Sequence, residues 1–213
     1  YYHDSSAVLV INGEIVSAFQ EERFTRKKFD NSFPVNSINS CLKYSNLKMQ
    51  DVNIISYYED PDTKLDRIIK SDLLFNKIKF IKNLKKTKEW LFNKNNINEM
   101  IKLNYSDFNG EIICFKHHYS HAASAYYPSP FSKSAILTMD GVGEWSTSTI
   151  GEGSKNNIEL KLEERFPNSI GLFYSAITQF CGFKVLSGEY KLMGLAPYGE
   201  PKYTNELKDN VIE

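Results

Sequence analysis

Two short β-prone runs open the chain, Ala7 to Ile11 and Glu14 to Gln20, the second carrying Ile15, Val16, Ala18 and Phe19. Between them stands Asn12-Gly13, two residues that tolerate positive φ, so the pattern predicts a β-hairpin. Pro34 then occupies a favoured first position for a helix in which Val35, Ile38, Cys41 and Leu42 recur at helical spacing. Asn53 to Tyr58 reads as a strand. From about residue 62 to 104, Leu65, Ile68, Ile69, Leu73, Ile78, Ile81, Leu84, Trp90 and Leu91 predict lysine-rich amphipathic helices. Further on, Glu111 to Phe115 reads as a strand and His117 to Tyr126 as a helix stopped by Pro128. Ser134 to Met139 is a strand ending at Asp140-Gly141. Trp145 to Ile150 and Ile158 to Phe166 form an antiparallel pair, and Ile170 to Phe180 a helix with Phe173, Tyr174, Ile177 and Phe180 on one side. Hairpins, further strands and intervening helices together predict an α/β fold.

Charge changes this picture little. Lys plus Arg and Asp plus Glu number 26 each, so no overall field attracts nucleic acid or an anionic membrane. Seven lysines fall between Lys77 and Lys94, where the plain reading is a solvated face over an apolar stripe. No apolar run approaches the length of a membrane span. Cys41, Cys114 and Cys181 lie far apart and form no CxxC pair, which predicts reduced, packed thiols and a cytoplasmic setting. The chain opens at Tyr1 directly into a motif, so a natural start upstream is expected.

Four segments offer chemistry. In His117-His118-Tyr119-Ser120-His121, a helix puts His117 and His121 on one face one turn apart, and turns His118 about 100° away. Two imidazoles at that spacing reach one metal ion, or simply hydrogen-bond on a helix surface. The zinc-protease motif is excluded, because its HExxH glutamate is absent. Met139-Asp140-Gly141-Val142-Gly143-Glu144 closes a strand with a carboxylate that can serve as a third ligand. Its glycines, Gly141 and Gly143, let backbone N–H groups approach a phosphate, or merely form a tight turn. Gly188 to Gly199 reads as a compact loop with opposite charges at Glu189 and Lys191 that form one ion pair. His3-Asp4-Ser5-Ser6 is a polar cluster at the hairpin entry, and Glu21 to Lys28 reads as a charged surface segment.

In this order, His-Asp-Ser-Ser-Ala, Glu-Glu-Arg-Phe-Thr-Arg-x-Lys, His-His-x-x-His-Ala-x-Ser-Ala, Met-Asp-Gly-x-Gly-Glu and Gly-Glu-Tyr-Lys-x-Met-Gly-Leu-Ala-Pro-Tyr-Gly resemble the NodU/CmcH-type carbamoyltransferases. The likeness covers the chain apart from the lysine-rich insertion at about 62–104. It implies a ribonuclease-H-like domain of the actin, sugar-kinase and heat-shock-chaperone (ASKHA) superfamily, comprising the first lobe and the start of the second. The hairpin is then expected in one sheet with residues 111–115. A separate C-terminal domain, absent from these 213 residues, would make carbamoyl-adenylate from carbamoyl phosphate and ATP. The N-terminal domain would pass the carbamoyl group to a hydroxyl of a small-molecule acceptor of nodulation-factor, antibiotic or sugar type, beside bound iron.

By motif match His117, His121 and Asp140 are metal ligands, with a further aspartate after Glu213. His3 and Lys28 match positions at the carbamoyl-adenylate pocket, as candidate base and phosphate partner. Asp4, Gly141, Gly143, Glu189, Lys191 and Gly194 are the expected nucleotide-side residues. Histidine and carboxylate ligands suit iron, manganese and zinc alike. The expected partner is the remaining C-terminal part of the same polypeptide, without which these residues should release no pyrophosphate. Two other readings stay open: a sugar-kinase-like phosphotransferase, and a non-catalytic module that binds through its lysine-rich helices.

Overall fold

The computed structural model describes residues 4–75 and 96–211. His3 and the centre of the lysine-rich stretch, including Ile78, Ile81, Leu84, Trp90 and Leu91, lie outside the described residues. The chain divides into two units, Tyr1–Phe115 and Lys116–Glu213.

In the first unit, β1 (Ser6–Ile11) and β2 (Glu14–Gln20) pair antiparallel from Ser6↔Gln20 to Ile11↔Glu14. Asn12 and Gly13 adopt φ of 52° and 87°, the left-handed pair that a two-residue hairpin turn requires. A single turn, α1 (Glu22–Thr25), leads to α2 (Val35–Tyr44), in which Pro34 stands just before the first helical residue. The Cys41 thiol of α2 approaches the carbonyls of Ala7 and Ser17, fixing the helix under the hairpin. Next come β3 (Ile54–Tyr57), α3 (Pro61–Phe75), α4 (Ile97–Asn104) and β4 (Glu111–Cys114). β3 and β4 are parallel, from Ile54↔Glu111 to Tyr57↔Cys114. Parallel neighbours need a long crossover, and the segment between Pro61 and Asn104 supplies it. Leu42, Met49 and Tyr105 form the buried core here, with Phe33, Ile38, Val52, Ile55 and Phe108 packed around them.

The expectation of one sheet holding both the hairpin and residues 111–115 is not met. Among the described residues β1–β2 and β3–β4 are separate two-stranded sheets. The Asn-Gly turn dictates that β1 meets β2, but a local turn carries no information about what lies beyond either edge. The α/β class holds, while the sheet order by itself lends no support to an actin-like arrangement.

Two further expectations are corrected. The charged run from Glu21 to Lys28 is not simply a surface segment, because Glu21 is buried, as is Asp30 just beyond it. Glu21 lies at the start of α2, where no neighbouring side chain caps the helix. Its carboxylate accepts hydrogen bonds from the Asn36 and Ser37 amides (3.2 and 2.9 Å), from Asn36 Nδ2 (2.6 Å) and from Ser37 Oγ (2.8 Å). Burial would raise the Glu21 carboxyl, but these donors outweigh it and hold it below its ordinary range. Of the cysteines only Cys41 is buried; Cys114 and Cys181 are exposed, and all three are free.

The second unit begins with α5 (His117–Tyr126), followed by β5 (Lys133–Met139), β6 (Ser146–Ser154) and β7 (Asn157–Arg165). These strands form an antiparallel sheet in the order β5-β6-β7. One face packs on α5 through Ala122, Tyr126, Ile136 and Ile158, with Tyr119, Ala123 and Leu160 at the margin. On the other face Leu137 pairs with Ile150 and Ile150 with Leu162, an exposed apolar row. α6 (Ile170–Phe180), α7 (Glu189–Leu195) and α8 (Thr204–Asn210) complete the unit. Ser169 caps α6 by accepting from Leu172 N (3.0 Å), and its hydroxyl donates to the Gly141 carbonyl (2.6 Å) at the end of β5.

Two measurements check this account. A Cβ at Gly153 would lie 2.4 Å from the ring of buried Tyr126, whose hydroxyl is tied to the Ser132 and Lys155 carbonyls. Gly153→Ala is expected to lower stability by about 1–3 kcal/mol in chemical denaturation, the usual cost of overpacking. The Asp30 carboxyl is held down at about 2 by the Ser32 hydroxyl first, then by the Thr25 hydroxyl and the Ser32 amide. Its folded value is depressed, so its stabilising effect is full above the ordinary 3.8 and is lost as pH falls through about 2. Asp30→Asn should remove that part of the acid-side slope, and an unchanged slope would show that Asp30 is not its source.

Candidate metal centre

The first turn of α5 is built from a distance. Lys116 precedes the helix in an extended conformation and no adjacent side chain caps it. Instead the loop joining β5 to β6 folds over it. That loop is closed by Asp140 N–H to the Thr147 carbonyl and Gly143 N–H to the Ser146 carbonyl, both 3.0 Å. Three of its residues meet three parts of His117. Buried Glu144 accepts from the His117 amide at both carboxylate oxygens (2.9 and 3.1 Å). Gly143 lies against the imidazole, since a Cβ there would stand 2.8 Å from His117 Cδ2. Asp140 Oδ2 lies 2.7 Å from His117 Nε2.

His121, one turn on, brings its Nε2 to 3.0 Å from His117 Nε2 and 3.4 Å from Asp140 Oδ2. His117, His121 and Asp140 thus converge, with ligand atoms all within 4.8 Å of one another. Bonds of roughly 2.0–2.2 Å to one ion place ligand atoms about 3.0–3.4 Å apart, as His121 stands from His117 and Asp140, whereas the 2.7 Å between His117 and Asp140 is the distance of a hydrogen bond. Asp140 Oδ1 is buried and accepts no hydrogen bond among the described residues, a further mark of a carboxylate available to a ligand. Burial would raise the Asp140 carboxyl; the hydrogen bonds from His117 and His121 outweigh it and keep the group well below its ordinary range. His121 is 46% exposed against 18% for His117, so the site opens on the His121 side. The residues present fit a divalent cation with open positions.

His118 is committed elsewhere, as helix geometry predicts. Its Nε2 faces the Ser146 carbonyl at 2.9 Å and must carry the proton, since a carbonyl only accepts. Nδ1 then accepts from the Thr138 hydroxyl (2.7 Å), and Thr138 in turn accepts from Thr149 (2.6 Å). Burial, opposed by the Asp140 charge, keeps this imidazole below its ordinary value and therefore neutral. His118 Nε2 still comes within 3.8 Å of Asp140 Oδ1, closer than rotation on the helix alone suggests.

The other sequence-predicted residues fall in several places. Asp4 and Lys28 belong to the first unit, Asp4 at a φ of 55° and Lys28 exposed, 3.8 Å from Glu22. Gly141 has room for a Cβ, with Leu172 at 3.5 Å, whereas Gly143 is the seat of the His117 ring. The stretch from Gly188 is a helix, not a compact loop. The Glu189–Lys191 ion pair does not form among the described residues. Glu189 instead accepts from Ser175 Oγ (2.9 Å) and the Leu186 amide (3.0 Å), tying α6 to α7, while Lys191 lies over the Tyr190 ring. Glu189 is lowered, burial being outweighed by these donors. Gly194 has open space around it. Sequence reasoning missed Glu144 as the partner of His117, although the residue stood inside the Asp-Gly-x-Gly-Glu motif.

His118→Ala leaves the Thr138 hydroxyl and Ser146 carbonyl without their buried partner. Such a loss costs about 1–3 kcal/mol. The expected outcome is a clear fall in the denaturation midpoint; a midpoint equal to the parent's would contradict the buried role.

The amino-acid sequence matches the carbamoyltransferase N-terminus family over residues 1–213. It is 44% identical over 220 residues to an uncharacterized protein of Synechocystis, covering 100% of this chain and 36% of that protein. It is 33% identical over 223 residues to nodulation protein NolNO of Sinorhizobium fredii, covering 100% of the chain and 30% of the relative. An uncharacterized protein of Methanocaldococcus jannaschii is 29% identical over 196 residues, covering 92% and 32%. The chain spans about a third of the length of these curated relatives. No described helix is long and apolar enough to cross a membrane. Matched along its whole length, the chain belongs to the carbamoyltransferase N-terminus family.

Proposed function

We propose that this chain is the acceptor-side part of an ATP-dependent carbamoyltransferase, with a divalent metal held by His117, His121 and Asp140. What supports it is the convergence of three ligand atoms at the end of β5, in a chain whose whole length matches that family. Iron is the favoured ion, and manganese or zinc would suit the same donors. When bound, the ion supplies Lewis-acid polarisation of the carbamoyl oxygen. The exposed side at His121 admits the substrate.

The donor is carbamoyl-adenylate, made from carbamoyl phosphate and ATP by the remaining C-terminal part of the same polypeptide. The acceptor oxygen bonds to the carbamoyl carbon, and the bond from that carbon to the adenylate phosphate oxygen breaks, releasing AMP. His3 takes the hydroxyl proton, and Lys28 offsets the phosphate charge on the leaving group. Asp4, Gly141, Gly143, Glu189, Lys191 and Gly194 are the proposed nucleotide-side residues. The acceptor is a small molecule bearing a hydroxyl, and the fold is completed as an actin-like pair of lobes.

Two assays on the full polypeptide test this. Metal content after dialysis, read by mass spectrometry, should fall sharply for His117→Ala, His121→Ala and Asp140→Asn, and little for His118→Ala. Transfer of labelled carbamoyl from carbamoyl phosphate and ATP, screened over hydroxyl acceptors, should appear with the parent and drop at least ~100-fold in the same three variants, a loss typical of removing a group that acts in the transition state. Metal lost from His118→Ala and retained in His117→Ala would overturn the ligand set.

A further inference from the structure

Glu144 holds the amide of the residue from which the ligand set starts. His117 is the first residue of α5, where a helix frays most readily and where the amide has no partner within the helix. Both imidazoles stand on that turn, so their separation depends on its being wound. Lys116 offers no side-chain cap, and the helix is only ten residues long. Glu144 supplies the missing acceptor from 27 residues away, buried, with both carboxylate oxygens on one amide. The same loop seats the ring on Gly143 and supplies Asp140.

We infer that Glu144 is a positioning residue of the two-histidine centre. By fixing the His117 backbone it sets the direction of His117 and, through one helical turn, of His121. This deepens the metal reading above and rests on it. Glu21 is the natural control, because it also is a buried glutamate that receives the first amides of a helix, α2, in the other unit. A purely structural cap at Glu144 would behave as Glu21 does.

Two substitutions separate reach from charge. Glu144→Gln keeps the length and one carbonyl oxygen for the His117 amide but removes the charge. Glu144→Asp keeps the charge but is one methylene short. The probe is zinc(II), its dissociation constant measured by chelator competition on the full polypeptide, beside the thermal midpoint. Glu144→Asp should weaken zinc about tenfold or more, in the range seen for residues that orient metal ligands, and Glu144→Gln less than about threefold. Glu21→Ala should lower the midpoint and leave zinc affinity unchanged. Equal affinity in Glu144→Asp and the parent, the reverse order of the two variants, or a matching loss in Glu21→Ala would each overturn the inference.

A metal-free measurement keeps the outcome independent of the ion. Imidazole proton–nitrogen spectra should show His117 and His121 shifted in Glu144→Asp and close to the parent in Glu144→Gln. If the parent binds no zinc while these shifts appear, the metal reading fails and the positioning role stands. If the imidazole signals of Glu144→Asp equal those of the parent, the positioning role fails whatever the zinc result.

Discussion

A carboxylate removed from water and turned onto the first amides of a helix is the interaction on which both units depend. The first amides of any helix lack intrahelical acceptors, and together they carry the positive end of its dipole. A short polar residue just before the helix usually meets them. Here Pro34 and Lys116 stand in that place and cannot. Glu21 and Glu144 reach in from other segments, and because both are buried their charge is poorly screened. The arrangement joins secondary to tertiary structure: α2 is complete only when β2 has delivered Glu21, and α5 only when the β5–β6 loop has closed.

The site follows from that closure. A helix presenting His117 and His121 on one face provides two donors but no particular place for them relative to the sheet. The loop between Met139 and Ser146 fixes this with a side chain on the ring, a carboxylate on the amide and a glycine against the imidazole. His118 completes the frame from the buried side, since its chain of hydrogen bonds through Thr138 to Thr149 ties α5 to both strands that flank the loop. The three histidines therefore divide, one pair turned to Asp140 and the third inward to the sheet.

What the sequence could disclose was what is local. Asn12-Gly13 named a turn, Pro128 a helix end, and the three-residue gap between His117 and His121 a shared face, all by rules spanning a few residues. Order of motifs disclosed the family. Glu21 acting 15 residues away, and Glu144 acting 27 away, were not legible, because a glutamate in a charged run reads as solvated until its partner's position is known. Gly143 was legible as a glycine that allows close approach, but not as to what approaches: the neighbour is an imidazole of the same unit. Sheet partnership failed for the same reason, as did the exposure of Cys114 and Cys181.

Anchoring a helix start in a strand-to-strand loop also alters how the centre comes apart. A free first turn opens and closes on its own, exposing one imidazole while the other stays in place. With the His117 amide, its ring nitrogen and the Cδ2 side of its imidazole all engaged by one loop, that turn and the loop form one opening unit. The His117 imidazole and the Asp140 carboxylate are then presented together or not at all. Partially assembled donor sets, which would capture ions loosely and with little discrimination, are then scarcely populated.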